Sequence, residues 1–198
     1  MGEDGRPASR TSRPCRRCVA TRRDAVGAIS AVGIGLLLSG TSPTHGEPAD
    51  ERPREGDLLT AADGAGPLAL ETVMVGARPT LAWPLDPATD TVRSGSRLNK
   101  LLVVRLDPAS LDDITRTRAA DGIVAYSAIC PHAGCEVTGW ADQVLECPCH
   151  SSHYNPREAG AVIDGPTQRP LPALPLKIDN GKLVVAKPFT SRPGIVQT

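Results

Sequence analysis

The sequence predicts an all-β, antiparallel domain with many loops and little helix. Its 198 residues include 19 Gly and 19 Pro, so turns must be frequent. The apolar stretches are short and separated by turn signals, as in small antiparallel sheets. Aromatic residues make up only 3% of the chain, so the core must consist of Val, Leu, Ile and Ala. The length suits one domain with appendages.

The clearest predicted strand covers residues 100–106, which contain a Leu-Leu-Val-Val core. Another covers 123–129 and ends directly before Cys130. The pair Asn180 and Gly181 separates two apolar runs, which predicts a β-hairpin. Further strands are predicted at 68–75, 79–83, 143–146 and 161–163, with the hairpin arms at 176–178 and 183–186 and a short helix at 110–117.

The N-terminal part has the features of an export segment. Residues 1–23 carry seven Arg and two acidic residues, a net charge of +5, whereas the rest of the chain carries −5. Arg22 and Arg23 precede an apolar run over 25–39, which resembles a twin-arginine signal. That run is short for a membrane span, so residues 1–40 are predicted to be a cleaved signal or a short anchor. The two arginines could also act only as positive-inside charges.

A basic leader on an acidic body does not predict a nucleic-acid partner. Residues 41–66 are polar and proline-containing, which predicts a flexible linker. The folded domain is predicted at 67–190, followed by a loose tail at 191–198. Cys15 and Cys18 form a Cys-x-x-Cys in the leader, but no second pair lies near them, so they are interpreted as incidental.

The chemistry-bearing residues are concentrated between Cys130 and Tyr154. Two mixed pairs, Cys130 with His132 and Cys147 with His150, each offer one thiolate and one imidazole. Two Cys on one iron and two His on the other describe a 2Fe–2S centre with mixed ligands. A mononuclear zinc site or a disulfide scaffold with incidental histidines are the alternatives. Cys135 and Cys149 are left over, one in each loop, and can pair with each other.

This arrangement resembles the Rieske iron–sulfur protein family, in the branch that carries a disulfide between the two cluster loops. The resemblance covers roughly residues 67–190. It implies a Rieske-type antiparallel β-sandwich with a cluster-binding subdomain, whose loops span about 130–172, and one 2Fe–2S cluster. It further implies that Cys130 and Cys147 ligate one iron, that His132 and His150 ligate the other, and that Cys135 and Cys149 form the disulfide.

Ser152 and Tyr154 match the positions at which cytochrome bc-type members hydrogen-bond cluster sulfur, so the resemblance implies a redox-tuning role for both. They could instead be a turn residue and a core aromatic. Gly165 to Pro172 matches a proline-rich third loop beside the cluster. Ala133 departs from the pattern, because many bc-type members carry Leu there.

The resemblance implies an electron-transfer subunit rather than a catalyst on its own. The first expectation is a bc-like quinol:cytochrome c oxidoreductase, with a cytochrome b-like donor side and a c-type cytochrome as acceptor. The alternative is the small subunit of an arsenite-oxidase-like molybdoenzyme, with a molybdopterin subunit as donor, favoured by Ala133, the short spacing between the loops and the twin-arginine leader. An oxygenase-type Rieske ferredoxin or a zinc-stabilised binding module fit less well. The expected location is the periplasmic side of the cytoplasmic membrane, anchored or exported.

Overall fold

The computed structural model describes residues 51–64 and 66–195. They form an all-β domain of two antiparallel sheets with one single-turn α-helix, which confirms the predicted fold class. The strands are β1 Leu58–Ala61, β2 Thr80–Asp86, β3 Thr91–Val92, β4 Leu101–Arg105, β5 Ile123–Ser127, β6 Gly139–Ala141, β7 Val144–Cys147, β8 Ser152–Asn155, β9 Ala161–Asp164, β10 Leu176–Asp179 and β11 Lys182–Val185. Helix α1 is Asp113–Arg116, and 3-10 helices cover Leu70–Thr72, Arg97–Asn99 and Pro108–Ser110.

The larger sheet has the strand order β10-β11-β1-β2-β4-β5, with β3 paired to β2. Strand β4 is buried on both faces over Leu101 to Val104, which is why these four residues are all apolar instead of alternating; only Arg105 at its end is partly exposed. Leu101 and Val103 face one core cluster, and Leu102 and Val104 face the other. The adjacent β5 is buried at every position and leads directly into the first loop of the site.

The smaller sheet has the order β6-β7-β8-β9 and packs on one face of β4 and β5. Its Leu145 and Tyr154 share a core cluster with Leu102 of the larger sheet. Tyr126 of β5 also donates a hydrogen bond of 2.8 Å to the Pro156 carbonyl. The two sheets are thus joined by packing and by a buried polar contact, and the smaller one carries the second and third loops of the site.

The domain begins earlier than the predicted boundary at residue 67. Strand β1, Leu58–Ala61, lies within the predicted linker 41–66, and it pairs with both β2 and β11. Some of the charged residues that suggested a solvated linker form ion pairs within the domain. Buried Arg93 donates to Asp57 at 2.8 Å and to Glu51 at 2.7 Å. Ion pairs with Arg93 therefore help to hold this polar segment in the domain, and the composition of the segment alone does not reveal them.

Two further predictions differ from the structure. Residues 68–75 were predicted as a strand but contain the 3-10 helix Leu70–Thr72. Local hydrogen bonds, such as that from the Thr72 hydroxyl to the Ala69 carbonyl, form there instead of hydrogen bonds to a neighbouring strand. The tail at 191–198 is not loose over its described part, because Pro193 and Gly194 are buried. Strands β3, β6 and β8 were not predicted, whereas the hairpin at Asn180 and Gly181 is confirmed.

Among residues 51–64 and 66–195, no helix is long and apolar enough to cross a membrane. The predicted signal or anchor at 1–40, including Arg22 and Arg23, lies outside the described residues, as do Cys15 and Cys18.

Candidate metal centre

Three loops bring the chemistry-bearing residues together. The first follows β5 and begins at Cys130. The second is the connection of residues 148–151 between β7 and β8, so that Cys147 and Ser152 face each other as the last strand pair. The third, residues 165–172, follows β9. Antiparallel pairing thus places the second loop at the end of a rigid hairpin, as a precise site requires.

The four predicted ligands divide into a buried pair and an exposed pair. Cys130 and Cys147 are each 1% exposed and are the free cysteines of the described chain. Burial raises the pKa of the Cys147 thiol, and the neighbouring Cys130 thiol raises it further. His132 and His150 are exposed, and their ring centroids lie 4.7 Å apart. The fold therefore presents two thiols towards the interior and two imidazoles towards solvent.

The first loop is closed by its own backbone. The Cys130 N–H donates to the Cys135 carbonyl at 2.8 Å, and the Gly134 N–H donates to the Cys130 carbonyl at 3.0 Å. Gly134 has φ +72°, a conformation that favours glycine. The predicted disulfide between Cys135 and Cys149 is confirmed, with their Cα atoms 6.5 Å apart. It links the tips of the first and second loops directly.

Tyr154 and Ser152 point to the same face of β8 because they are two residues apart. Both are fully buried. The Tyr154 hydroxyl lies 3.0 Å from Cys130 Sγ, and burial together with this contact raises the pKa of the phenol. The Ser152 hydroxyl has no hydrogen-bond partner within the described part of the chain. An unsatisfied buried hydroxyl costs about 1–3 kcal/mol, so it needs an explanation.

The third loop presses on the second at Gly165. Its φ is +103°, and a Cβ added there would lie 2.5 Å from Ser152 Cα. No other residue fits at this approach without displacing backbone. The sequence predicted that a Gly-Pro motif begins the third loop. The close approach to Ser152 explains why the first residue of that motif is a glycine.

These residues fit a bound iron–sulfur cluster. Two thiols and two imidazoles supply its mixed ligand set. A group with its own hydrogen-bond acceptors, as inorganic sulfide has, would satisfy the Ser152 hydroxyl, whereas a single zinc ion would not. The disulfide-scaffold alternative does not account for buried, free Cys130 and Cys147.

One supporting residue was missed by the sequence reasoning. Arg97, in the 3-10 helix Arg97–Asn99, donates from its guanidinium to the Gly134 carbonyl. The two residues are 37 positions apart, so no local motif marks the contact. A single arginine shortly before a predicted strand is too common in sequences to have identified this contact.

Comparison with known proteins agrees with this site. The Rieske 2Fe–2S domain family matches residues 90–175. The Rieske subunit of a respiratory nitrate reductase from Haloferax mediterranei is 30% identical over 186 residues, covering 90% of this chain and 82% of the relative. The Rieske iron–sulfur subunit of the cytochrome bc1 complex of Streptomyces lividans is 32% identical over 146 residues, covering 71% and 85%.

Two solved structures also show some similarity to this chain. The ferredoxin of carbazole 1,9a-dioxygenase from Nocardioides aromaticivorans IC177 has 21% identity and a TM-score of 0.41, covering 69% of this chain and 99% of the ferredoxin. The soluble domain of Rieske protein II from Sulfolobus acidocaldarius has 20% identity and a TM-score of 0.36, covering 73% and 74%. On the sequence relationship over most of the two subunits' lengths, the chain belongs to the Rieske 2Fe–2S protein family.

Proposed function

We propose that this Rieske protein is the electron-transfer subunit of a bc-like quinol:cytochrome c oxidoreductase. In this assignment Cys130 and Cys147 ligate one iron of the cluster, and His132 and His150 ligate the other. The observation that carries the proposal is the Tyr154 hydroxyl against Cys130 Sγ, with the Ser152 hydroxyl buried beside the second loop. These are the tuning positions that the bc-type resemblance implies.

The cluster, when bound, supplies a one-electron redox couple. Cys130 and Cys147 are buried and would hold one iron from the low-dielectric core. His132 and His150 are exposed and would hold the other iron at the protein surface, where a partner can approach. Neutral imidazoles in place of thiolates raise the potential into a range of about −150 to +300 mV. A hydrogen bond from Tyr154 to sulfur favours the more negative reduced state and raises it further.

The proposed partners follow from the same assignment. A cytochrome b-like subunit provides the quinol site on the donor side, and a c-type cytochrome accepts the electron. The Streptomyces relative is itself a subunit of a bc1 complex, which supports this choice. The protein is proposed to act at the periplasmic side of the cytoplasmic membrane, exported or held there through residues 1–40.

A second candidate is the Rieske subunit of a different respiratory oxidoreductase, such as an arsenite-oxidase-like molybdoenzyme. Ala133 is exposed beside His132 and offers little apolar surface at the tip of the first loop. The Haloferax relative, which aligns with 90% of the chain, carries the name of a nitrate reductase subunit rather than that of a bc1 subunit. Both observations favour a partner other than cytochrome b.

The ligand assignment is tested with histidine variants of the full chain. Wild type should contain about two irons per chain and give the low-average-g resonance of mixed His and Cys ligation. His132→Ala and His150→Ala should lose the cluster, whereas the matched control His153→Ala should keep it, because His153 lies on β8 and faces Glu146 across the strands. Zinc without iron in wild type would overturn the assignment.

The choice of complex is tested by what accompanies the protein from native membranes. Detergent extracts fractionated by size should show b-type haem absorption in the fractions that contain this chain, and a quinol should reduce its cluster there. Molybdenum in those fractions, with no b-type haem, would contradict the bc-like assignment and support the second candidate.

Export is tested with a charge-preserving change at the N-terminus. Arg22→Lys together with Arg23→Lys should block export, because a twin-arginine signal is recognised as a motif and not as bulk charge. Normal export of this variant would instead favour the reading of both residues as positive-inside charges.

A further inference from the structure

The C-terminal segment, residues 190–195, is paired with Ala173, which directly follows the third loop. The Thr190 N–H donates to the Ala173 carbonyl at 2.9 Å, and the Ala173 N–H donates to the Thr190 hydroxyl at 3.0 Å. Pro193 and Gly194 are buried. This segment is therefore fixed on the domain surface, next to a loop of the metal centre.

A second contact joins the C-terminal segment to the third loop and to the base of the first. Arg169 donates from its guanidinium to the Gly194 carbonyl at 2.7 Å. Gly194 has φ +72°, and a Cβ added there would lie 2.9 Å from Leu98 Cδ2 and 3.4 Å from Ile129 Cγ2. Ile129 immediately precedes Cys130, so the segment packs against the start of the first loop.

The last described residue reaches the tip of that loop. A Cβ added to Gly134 would lie 3.5 Å from Ile195 Cδ1 and 3.2 Å from Arg97 Nη2. Arg97 also donates to the Gly134 carbonyl. Gly134 is two residues after His132 and directly precedes Cys135, so its position controls where the exposed imidazole and the disulfide lie.

We propose that the C-terminal segment is a structural part of the cluster site, which connects the third loop to the first through Arg169 and Ile195. Arg169 and Ile195 are positioning residues: neither forms a hydrogen bond to a proposed ligand in the described part of the chain, but they support the loop that presents His132. The proposal deepens the proposed function, on which it rests through the ligand assignment of His132. It makes the lifetime and the spectrum of the cluster depend on a segment that contains no ligand.

The physical reason is the cost of freeing the loop. A guanidinium-to-carbonyl bond is charge-assisted and stronger than a neutral one. Without it, Thr190 keeps its bonds to Ala173, but the residues that follow are held less firmly, and Gly134 loses its packing against Ile195. The first loop then samples more conformations while the sheets stay folded. Because His132 is less often in the position that binds iron, the cluster is held less tightly.

The test measures cluster loss from the isolated, cluster-loaded full chain. Arg169→Ala and Ile195→Ala are compared with Arg78→Ala and Ile178→Ala, which change exposed residues of the same types outside residues 190–195. Bleaching of the visible absorption in the presence of an iron chelator gives the rate of loss, and electron paramagnetic resonance of the reduced protein gives the signal width. A urea titration followed by circular dichroism reports global stability.

Arg169→Ala should lose the cluster about tenfold faster than wild type, as removal of one charge-assisted bond allows. Its resonance should broaden, because His132 takes more orientations. The two control variants should stay within about twofold of wild type, as ordinary surface changes do. Arg169→Lys keeps a charged donor and should recover part of the wild-type rate. A purely global destabilisation would speed the loss only in proportion to unfolding and would leave the resonance width unchanged.

The proposal is overturned if Arg169→Ala and Ile195→Ala both bleach at the wild-type rate with an unchanged resonance. If Arg169→Ala does not accumulate as folded protein, Ile195→Ala and Arg169→Lys decide, since Ile195 is half-exposed and the lysine retains the charge. No partner complex is needed for these measurements. Failure of the bc-like assignment therefore leaves the result valid, and failure of this proposal leaves quinol reduction of the wild type unaffected.

Discussion

Replacement of both Cys135 and Cys149 by serine should lower the free energy of unfolding by about 3 kcal/mol. The two residues are 14 positions apart, and in the chain-entropy description a cross-link across about 15 residues removes that much conformational entropy from the unfolded state. Both must change together, because the Sγ atoms of Cys135, Cys147 and Cys149 all lie within 4.8 Å of one another. A single serine would leave a reactive thiol beside a proposed ligand.

Urea titrations of the cluster-loaded chain measure this effect, with circular dichroism for the sheets and visible absorption for the cluster. The midpoint should fall while the slope stays nearly constant, since the folded surface is unchanged. Wild type treated with a thiol reductant that opens the disulfide should match the double variant. A loss below about 1 kcal/mol would show that the denatured chain is not constrained as the entropy argument requires, and would refute it.

Three further outcomes follow from single side chains. Tyr154→Phe removes the hydroxyl 3.0 Å from Cys130 Sγ and should lower the reduction potential by about 60 mV, as voltammetry would show; an unchanged potential would contradict the tuning role. Arg93→Ala leaves the carboxylate of Asp57, which is 3% exposed, without its buried partner and should cost about 3–5 kcal/mol in a urea titration. A backbone hydrogen bond and Arg93 hold the pKa of Asp86 below its ordinary value of 3.8, so its stabilising effect is full above about pH 4 and disappears as pH falls through the lowered pKa. The stability difference between wild type and Asp86→Asn should therefore be present at pH 7 and vanish in strong acid; a difference that persists there would contradict the argument.

The candidate site could be predicted largely from sequence because its chemistry is local. Cys130 with His132 and Cys147 with His150 are each within four positions, and backbone geometry alone brings such residues into one loop. The spare cysteines marked the contact between the two loops, and a disulfide does join them. Tyr154 was placed beside the cluster by resemblance, and its hydroxyl does lie against Cys130 Sγ.

The boundaries of the domain could not be predicted in the same way. Strand β1 is only four residues long and follows a charged stretch. Its two apolar residues, Leu58 and Leu59, were too few to distinguish this segment from a linker. What brings it into the sheet is its pairing with β2 and β11 and the buried ion pair of Arg93 with Asp57, 36 positions away. Neither feature can be recognised from nearby residues, because the stabilising contacts join segments that are far apart in the sequence.

By itself, the sequence indicated the all-β class, two mixed pairs of Cys and His as candidate ligands, and two spare cysteines able to form a disulfide between the loops, since these depend on residue type and short spacing. Only the tertiary structure decided what supports those loops. The Arg97 contact with Gly134 spans 37 positions, and that of Arg169 with Gly194 spans 25. A guanidinium can bond to any carbonyl within reach, and the identity of that carbonyl depends on how the sheets fold and pack. The proposed ligands therefore lie in local sequence motifs, while the rigidity of their loops depends on long-range packing.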